Sequence, residues 1–99
     1  MKIVAVTACP TGVAHTYMAA EQLEKTARAL GHEIKVETQG SMGIENGLSA
    51  QDIRDADVVV FAVDISVEQG ERFHGKRLVQ VAVQDVIRNP RAVFDRLGV

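Results

Sequence analysis

Lys2-Ile3-Val4-Ala5-Val6-Thr7-Ala8-Cys9-Pro10-Thr11-Gly12-Val13-Ala14-His15-Thr16 is the stretch from which the fold can be read. Ile3 to Ala8 is almost wholly apolar, the pattern of a short strand buried on both faces of a sheet. From Gly12 to Leu30 the period changes. Val13, Tyr17, Ala20, Leu23, Ala27 and Leu30 recur at three- and four-residue spacing, with Glu21, Gln22, Glu24, Lys25 and Arg28 on the solvated side, which predicts an amphipathic helix. Gly31 stops it in the position of a left-handed cap. Cys9, the only cysteine, therefore stands where the strand runs out and the helix is about to begin. Backbone N–H groups at a helix start point outward and the helix dipole is positive there, so such a place suits an anion, thiolate or phosphate alike.

Outward from this stretch the alternation of strand and helix continues. Glu33-Ile34-Lys35-Val36-Glu37 alternates strictly, which predicts a half-exposed strand at a sheet edge. A glycine-rich loop, Gly40-Ser41-Met42-Gly43 to Asn46-Gly47, leads to Ser49-Ala50-Gln51-Asp52. Those four residues have the form of a helix N-cap with an acid at the third position, opening a short helix to about Asp55. Val58 to Val63 is a second apolar strand. Asp64 to Gly75 reads as a polar loop, Leu78 to Ala82 as a fourth strand, and the pattern from Gln84 as helix. Asn89-Pro90 divides that last stretch into two helical pieces, with proline in a first helical position. The expected fold is α/β: a three-layer sandwich around a four-stranded parallel sheet of order 2-1-3-4, Rossmann/flavodoxin-like, with right-handed crossovers. Its switch point falls at the carboxyl ends of the first and third strands, where open α/β sheets bind ligands. Cys9, the Asp64 loop and the Gly40 loop all belong to that edge.

Ninety-nine residues suit one domain, 1–99, with a single core. A hydrophobic content of 46% and a charged content of 24% are ordinary for a soluble globular chain. The formal charge of −2 and the scattered aromatics Tyr17, Phe61, Phe73 and Phe94 give no footprint for nucleic acid. No apolar run approaches the roughly 20 residues of a membrane span, and the start of the chain lacks the pattern of a signal peptide. One cysteine cannot close an internal disulfide, and His15, His32 and His74 without cysteine companions make no metal cage. The expectation is a cytoplasmic domain with a reduced thiol, no metal and no cofactor.

Two readings of Cys9 compete. It is a small apolar residue packed at a strand end, or a nucleophile whose loop cradles phosphate through Pro10, Thr11, Gly12, Val13, Ala14, His15 and Thr16. Pro10 and Gly12 permit the bend, N–H groups from Thr11 to His15 can converge on an anion, and the hydroxyls of Thr11 and Thr16 add donors. That conjunction favours the functional reading. His15 stands six positions after Cys9, where cysteine-dependent phosphatase loops carry an arginine, and imidazole lacks the bidentate fork of that residue. Asp64 is a general acid if a hydrolase operates here, and otherwise a turn or cap residue. Gln39, Gly40, Ser41, Met42 and Gly43, with Asp64, form a candidate partner surface. His32 and His74 read as surface residues.

Cys9-Pro10-Thr11-Gly12-Val13-Ala14-His15-Thr16 resembles the active loop of the IIB domains of the bacterial sugar phosphotransferase system, fructose class. Glu37-Thr38-Gln39-Gly40-Ser41-Met42-Gly43 and Phe73-His74-Gly75-Lys76 are similar to two further segments of that family, as is Asp64-Ile65 between them. The resemblance implies a relay. Phosphohistidine of a IIA protein or domain gives its phosphoryl group to Cys9, and a sugar, fructose in this class, takes it at the membrane IIC component during uptake. A domain of this kind is expected in the cytoplasm, at the inner face of the membrane through IIC. A low-molecular-weight phosphatase-like cysteine hydrolase is the alternative; the absence of arginine at His15 counts against it.

Overall fold

In the computed structural model, which describes residues 1–9, 13–40 and 43–98, the chain alternates strands and helices. It runs β1 (Lys2–Ala8), α1 (Val13–Ala29), β2 (Glu33–Gly40), β3 (Gly43–Glu45), α2 (Ala50–Asp55) and β4 (Val58–Val63). A 3-10 turn (Gly70–Phe73), β5 (Leu78–Val81), α3 (Val83–Arg88) and α4 (Pro90–Leu97) complete it. Four strands pair in parallel as β2-β1-β4-β5, the order read from the pattern. The expected four-stranded parallel sheet needs one correction. β3 joins the outer side of β2 antiparallel, with Gly40 opposite Gly43 and Thr38 opposite Glu45, so the sheet has five strands and is mixed. The Gly40–Gly43 stretch, expected as loop, thus begins a hairpin; its Ser41 and Met42 lie outside the described residues. Gly43 takes φ +87° and Asn46 φ +53°, left-handed values that glycine and asparagine reach most easily. The Asn46 side chain also donates to the Val36 carbonyl at 2.9 Å, tying the end of β3 back to β2. Three residues carry too little of a two-residue period to be read as a strand.

Successive residues of β1 and β4 point to opposite faces and build two cores. Ile3, Ala5, Val58, Val60 and Ala62 pack under α1, α3 and α4, against Leu23, Ala27, Val86, Phe94 and Leu97. Val4, Val6, Ala8, Val59, Phe61 and Val63 face Ile53 of α2 and Phe73 of the 3-10 turn. Phe73 meets Phe61 edge to face at 5.2 Å between ring centres. These are the three layers expected.

The predicted punctuation also holds. The Ser49 hydroxyl accepts from the Asp52 N–H at 3.0 Å while the Asp52 carboxylate accepts from the Ser49 N–H at 2.9 Å, a capping box. Asn89 accepts from the Ala92 N–H ahead of α4, with Pro90 in its first turn. Gly31 caps α1 at φ +81°. One residue of the helical stripe departs from its expected place: Tyr17 is exposed, while Thr16 and Ala19 are buried beside Ala20 and Leu23. The Tyr17 hydroxyl instead reaches Glu45 of β3.

Phe94 is wholly buried, and Phe94→Ala is expected to lower the unfolding free energy by about 3–5 kcal/mol, against about 1 kcal/mol for Asn89→Ala. Urea unfolding followed by circular dichroism measures both; equal losses would contradict the packing assigned to Phe94.

Candidate active site

Cys9 follows β1 directly, and α1 begins at Val13. Ala8, its neighbour, is paired with Gln39 of β2 on one side and Val63 of β4 on the other. The Asp64 N–H donates to the Ala8 carbonyl at 2.9 Å, so the chain leaving β4 passes next to the cysteine. Cys9 is only 6% exposed and belongs to the cluster under α1. Its burial agrees with the packed-thiol reading and leaves the functional one open. Strands flank β1 on both sides and helices cover both faces, so the side left for approach to this residue is the carboxyl edge of the sheet.

Of the loop residues read as a phosphate cradle, Pro10, Thr11 and Gly12 lie outside the described residues, while Val13 to Thr16 form the first turn of α1. Ala14 and His15 are exposed and Thr16 is buried. The Thr7 hydroxyl donates to the Thr16 carbonyl at 3.1 Å, stitching the end of β1 to that turn. The β2–β3 hairpin meets the same turn. A methyl group built on Gly40 would lie 3.7 Å from the Thr16 Oγ1. The Tyr17 hydroxyl donates to the Glu45 carboxylate. That hydrogen bond is the main cause, ahead of desolvation and the charge of Glu45, holding the phenol above its ordinary value of 10.0. Gly40 and Gly43 thus come to the Cys9 edge, as read from the sequence.

Two candidates have roles the sequence only half disclosed. Asp64 is exposed and its Oδ1 accepts from the Val83 N–H at 3.2 Å, so it caps the start of α3, the bland reading of that residue. Gln39, assigned to a partner surface, is 5% exposed and turned inward. Its amide oxygen accepts from the Glu68 N–H at 2.8 Å, and its Nε2 donates to the Glu68 carbonyl at 3.0 Å.

Beside Gln39 is a group that the pattern hides. Glu37 alternates with Val36 and reads as solvent-facing, yet it is fully buried. Its carboxylate accepts from Arg72 Nη1 at 3.0 Å and Nη2 at 2.9 Å, a bidentate pair. It also accepts from the Leu48 N–H at 2.9 Å and from Gln39 Nε2 at 2.8 Å. Arg72 lies over the Phe73 ring, 5.0 Å from its centre. Glu37 is in register with Val6 and Gln39 with Ala8, so both point to the Phe73 face, while Cys9 belongs to the α1 face. The only sequence signals were Glu37 and Gln39 two apart on one strand, and an arginine next to Phe73.

Burial opposes ionisation of Glu37, but the hydrogen bonds from Arg72, Leu48 and Gln39, with the charge of Arg72, outweigh it and keep the carboxyl below 4.5. Farther off, Asp52 pairs with Lys35 at 2.8 Å, and with the Ser49 cap this lowers it to about 2. A hollow of about 540 Å³ opens over Phe61, Val63 and Gln80 beneath the Asp64–Val67 stretch, on the face away from the thiol. Among the described residues there is no group of three or more His, Cys, Asp or Glu placed to hold a metal ion. Among them, too, no helix is long and apolar enough to cross a membrane.

Fold and edge together describe a small α/β domain with a strand-end cysteine at the switch point. Residues 4–96 match the family described as "PTS system, Lactose/Cellobiose specific IIB subunit". A fructose-like EIIB component 2 of Escherichia coli K12 is 53% identical over 97% of this chain and 91% of its own length. A fructose-specific EIIABC component of Bacillus subtilis is 55% identical over 96% of this chain, which spans only 15% of that longer protein. The solution structure of an Escherichia coli enzyme IIB subunit superposes with a TM-score of 0.92 at 41% identity, covering 98% of this chain and 90% of that one. The chain belongs to the phosphotransferase system IIB family. Within it, it is a IIB domain of the fructose-like kind, and its activity is phosphoryl transfer in sugar uptake, in a system whose IIB domains work with IIA and IIC components.

A folded-state carboxyl held below its ordinary value contributes stability that is complete above that value and fades as pH falls through the depressed one. Glu37→Gln is therefore expected to flatten the acid limb of the stability–pH curve, read from urea midpoints between about pH 7 and about pH 3. Arg72→Ala leaves the carboxylate buried without its cation and is expected to cost about 3 kcal/mol or more near neutrality. An acid limb unchanged in Glu37→Gln would contradict the network.

Proposed function

We propose that Cys9 carries the phosphoryl group. The thiolate attacks phosphorus of a phosphohistidine on the IIA partner; the S–P bond forms as the N–P bond breaks, and the imidazole leaves with the electron pair and takes up a proton. In the second half a sugar hydroxyl presented by IIC attacks phosphorus, its proton passing to water. The S–P bond breaks, restoring the thiolate, and the sugar phosphate departs. Both halves are in-line displacements in which charge spreads over three equatorial oxygens, so oriented donors matter more than covalent machinery.

The observation that carries this reading is the position of Cys9, next to paired strand ends and ahead of α1, a 17-residue helix whose positive end faces the same edge. The loop Pro10 to Thr16 is the cradle in this reading, and Gly40, Ser41, Met42, Gly43 and Asp64 belong to the surface facing the partners. Arg72 supports a carrier over a hydrolase. It is bound to Glu37 on the opposite face of the sheet, and His15 stands where a phosphatase loop has its arginine. A phosphocysteine without that fork beside it persists until the sugar arrives. Fructose as the sugar, the chain acting as one domain over 1–99, and a cytoplasmic site of action at the inner face of the membrane through IIC complete the reading. Nucleic acid, metal and cofactor have no part in it.

Incubation with phosphorylated IIA should add one phosphoryl group to the intact protein, localised to Cys9 by mass spectrometry and absent in Cys9→Ser. An unmodified wild type, or an adduct on another residue, would remove Cys9 from this role. Aryl phosphate turnover abolished by Cys9→Ser would instead favour the hydrolase.

A further inference from the structure

The side left for approach to Cys9 is the carboxyl edge, so a phosphorylated donor protein must rest on whatever walls surround that edge. One wall is the first turns of α1, where Tyr17 and Met18 stand 41% and 47% exposed. The facing wall is the chain that leaves β4. Asp64 is bonded to Ala8, Ile65 is 43% exposed, and the stretch runs through Val67 and Glu68 to the 3-10 turn. Exposed large apolar groups around a reactive edge are what a protein partner buries. This second wall has no strand or long helix of its own to hold it.

The Glu37 network holds it. Gln39 grips Glu68 through both its N–H and its carbonyl. Arg72, clamped by Glu37, also donates from Nε to the Gln69 carbonyl at 2.9 Å. The carboxylate takes in Leu48 as well, so one buried charge joins β2, the segment after β3 and the segment after β4. Net stability is a weak reason for such a pair, since burying two charges offsets much of their attraction and an apolar pair of similar volume does as well. Fixed geometry at the edge is what the polar network supplies and an apolar one would not.

We propose that Glu37, Gln39 and Arg72 position the Ile65–Gln69 segment as the second wall of the donor-docking surface, setting affinity for the phosphorylated donor and leaving the transfer step in the docked pair unchanged. They are positioning residues: the network lies on the Phe73 face and the thiol on the other. An unpinned wall must be ordered on docking, and that loss falls on binding. The inference rests on Cys9 being the carrier.

Quench-flow transfer from phosphorylated IIA, followed against donor concentration, tests it in wild type, Gln39→Ala, Gln39→Glu and Glu37→Gln. Gln39→Glu keeps the shape of the side chain, loses the Nε2 donor and sets a second carboxyl group against Glu37. The half-saturating donor concentration is expected to rise about tenfold in each variant, with the limiting rate within about twofold of wild type. Iodoacetamide labelling of Cys9 is expected to keep its wild-type rate, showing the thiol pocket intact. Wild-type concentration dependence in folded Gln39 variants would overturn the proposal, as would a fall in the limiting rate at unchanged half-saturation. A wild type phosphorylated at Cys9 separates either result from failure of the carrier reading, in which no adduct forms on Cys9 and both fall.

Discussion

The rest of the domain depends on β1 being paired along both sides and covered on both faces. Every backbone group of a central parallel strand is committed to its neighbours, and an interior of Ile3, Val4, Ala5 and Val6 admits no unpaired polar atom. Chemistry is thereby driven to the end of the strand, where the ladder stops and α1 has not yet begun. Cys9 stands just past the last paired residue, Ala8, still buried at the rim of the α1-side core.

A second consequence concerns what surrounds that end. α1 is long and well anchored, with Leu23 and Ala27 fully buried, and needs no help to keep its place. The opposite layer is thin: a six-residue helix, a 3-10 turn and the stretch after β4. Ile53, Leu48, Ala56 and Phe73 are its buried apolar residues, with Val67 packed against them, and the buried Glu37 adds hydrogen bonds to that packing. A carboxylate with four hydrogen bonds fixes direction as well as distance, which van der Waals contact between small apolar groups does only weakly. Both layers are packed on apolar residues, and on the Phe73 side a buried ion pair is built in beside that packing.

Much of the architecture was legible because the periods were long and clean. Nineteen residues of helical stripe from Gly12 to Leu30, two apolar runs and the capping signs at Ser49, Asn89 and Gly31 each translate into one local geometry. Where the structure departs from the pattern, the signal is short or depends on distant chain. Three residues of β3 show no period. Tyr17 fits the apolar stripe by spacing, yet it is exposed and hydrogen-bonded to Glu45 of β3. Gln39 looks like surface until the chain after β4 folds over it.

The amino-acid pattern was enough for the alternation of strands and helices and for a lone cysteine at a strand-to-helix junction, since these follow from sterics and burial within single elements. The parallel core order followed from comparing strands and from the handedness of their crossovers. The eight-residue loop was enough to mark the family. Tertiary structure alone decided that Glu37 is inside. A strand's two-residue period says which residues share a face, and only the segments that come to lie on that face, here Leu48 and Arg72, determine whether it meets water or the protein's own charge.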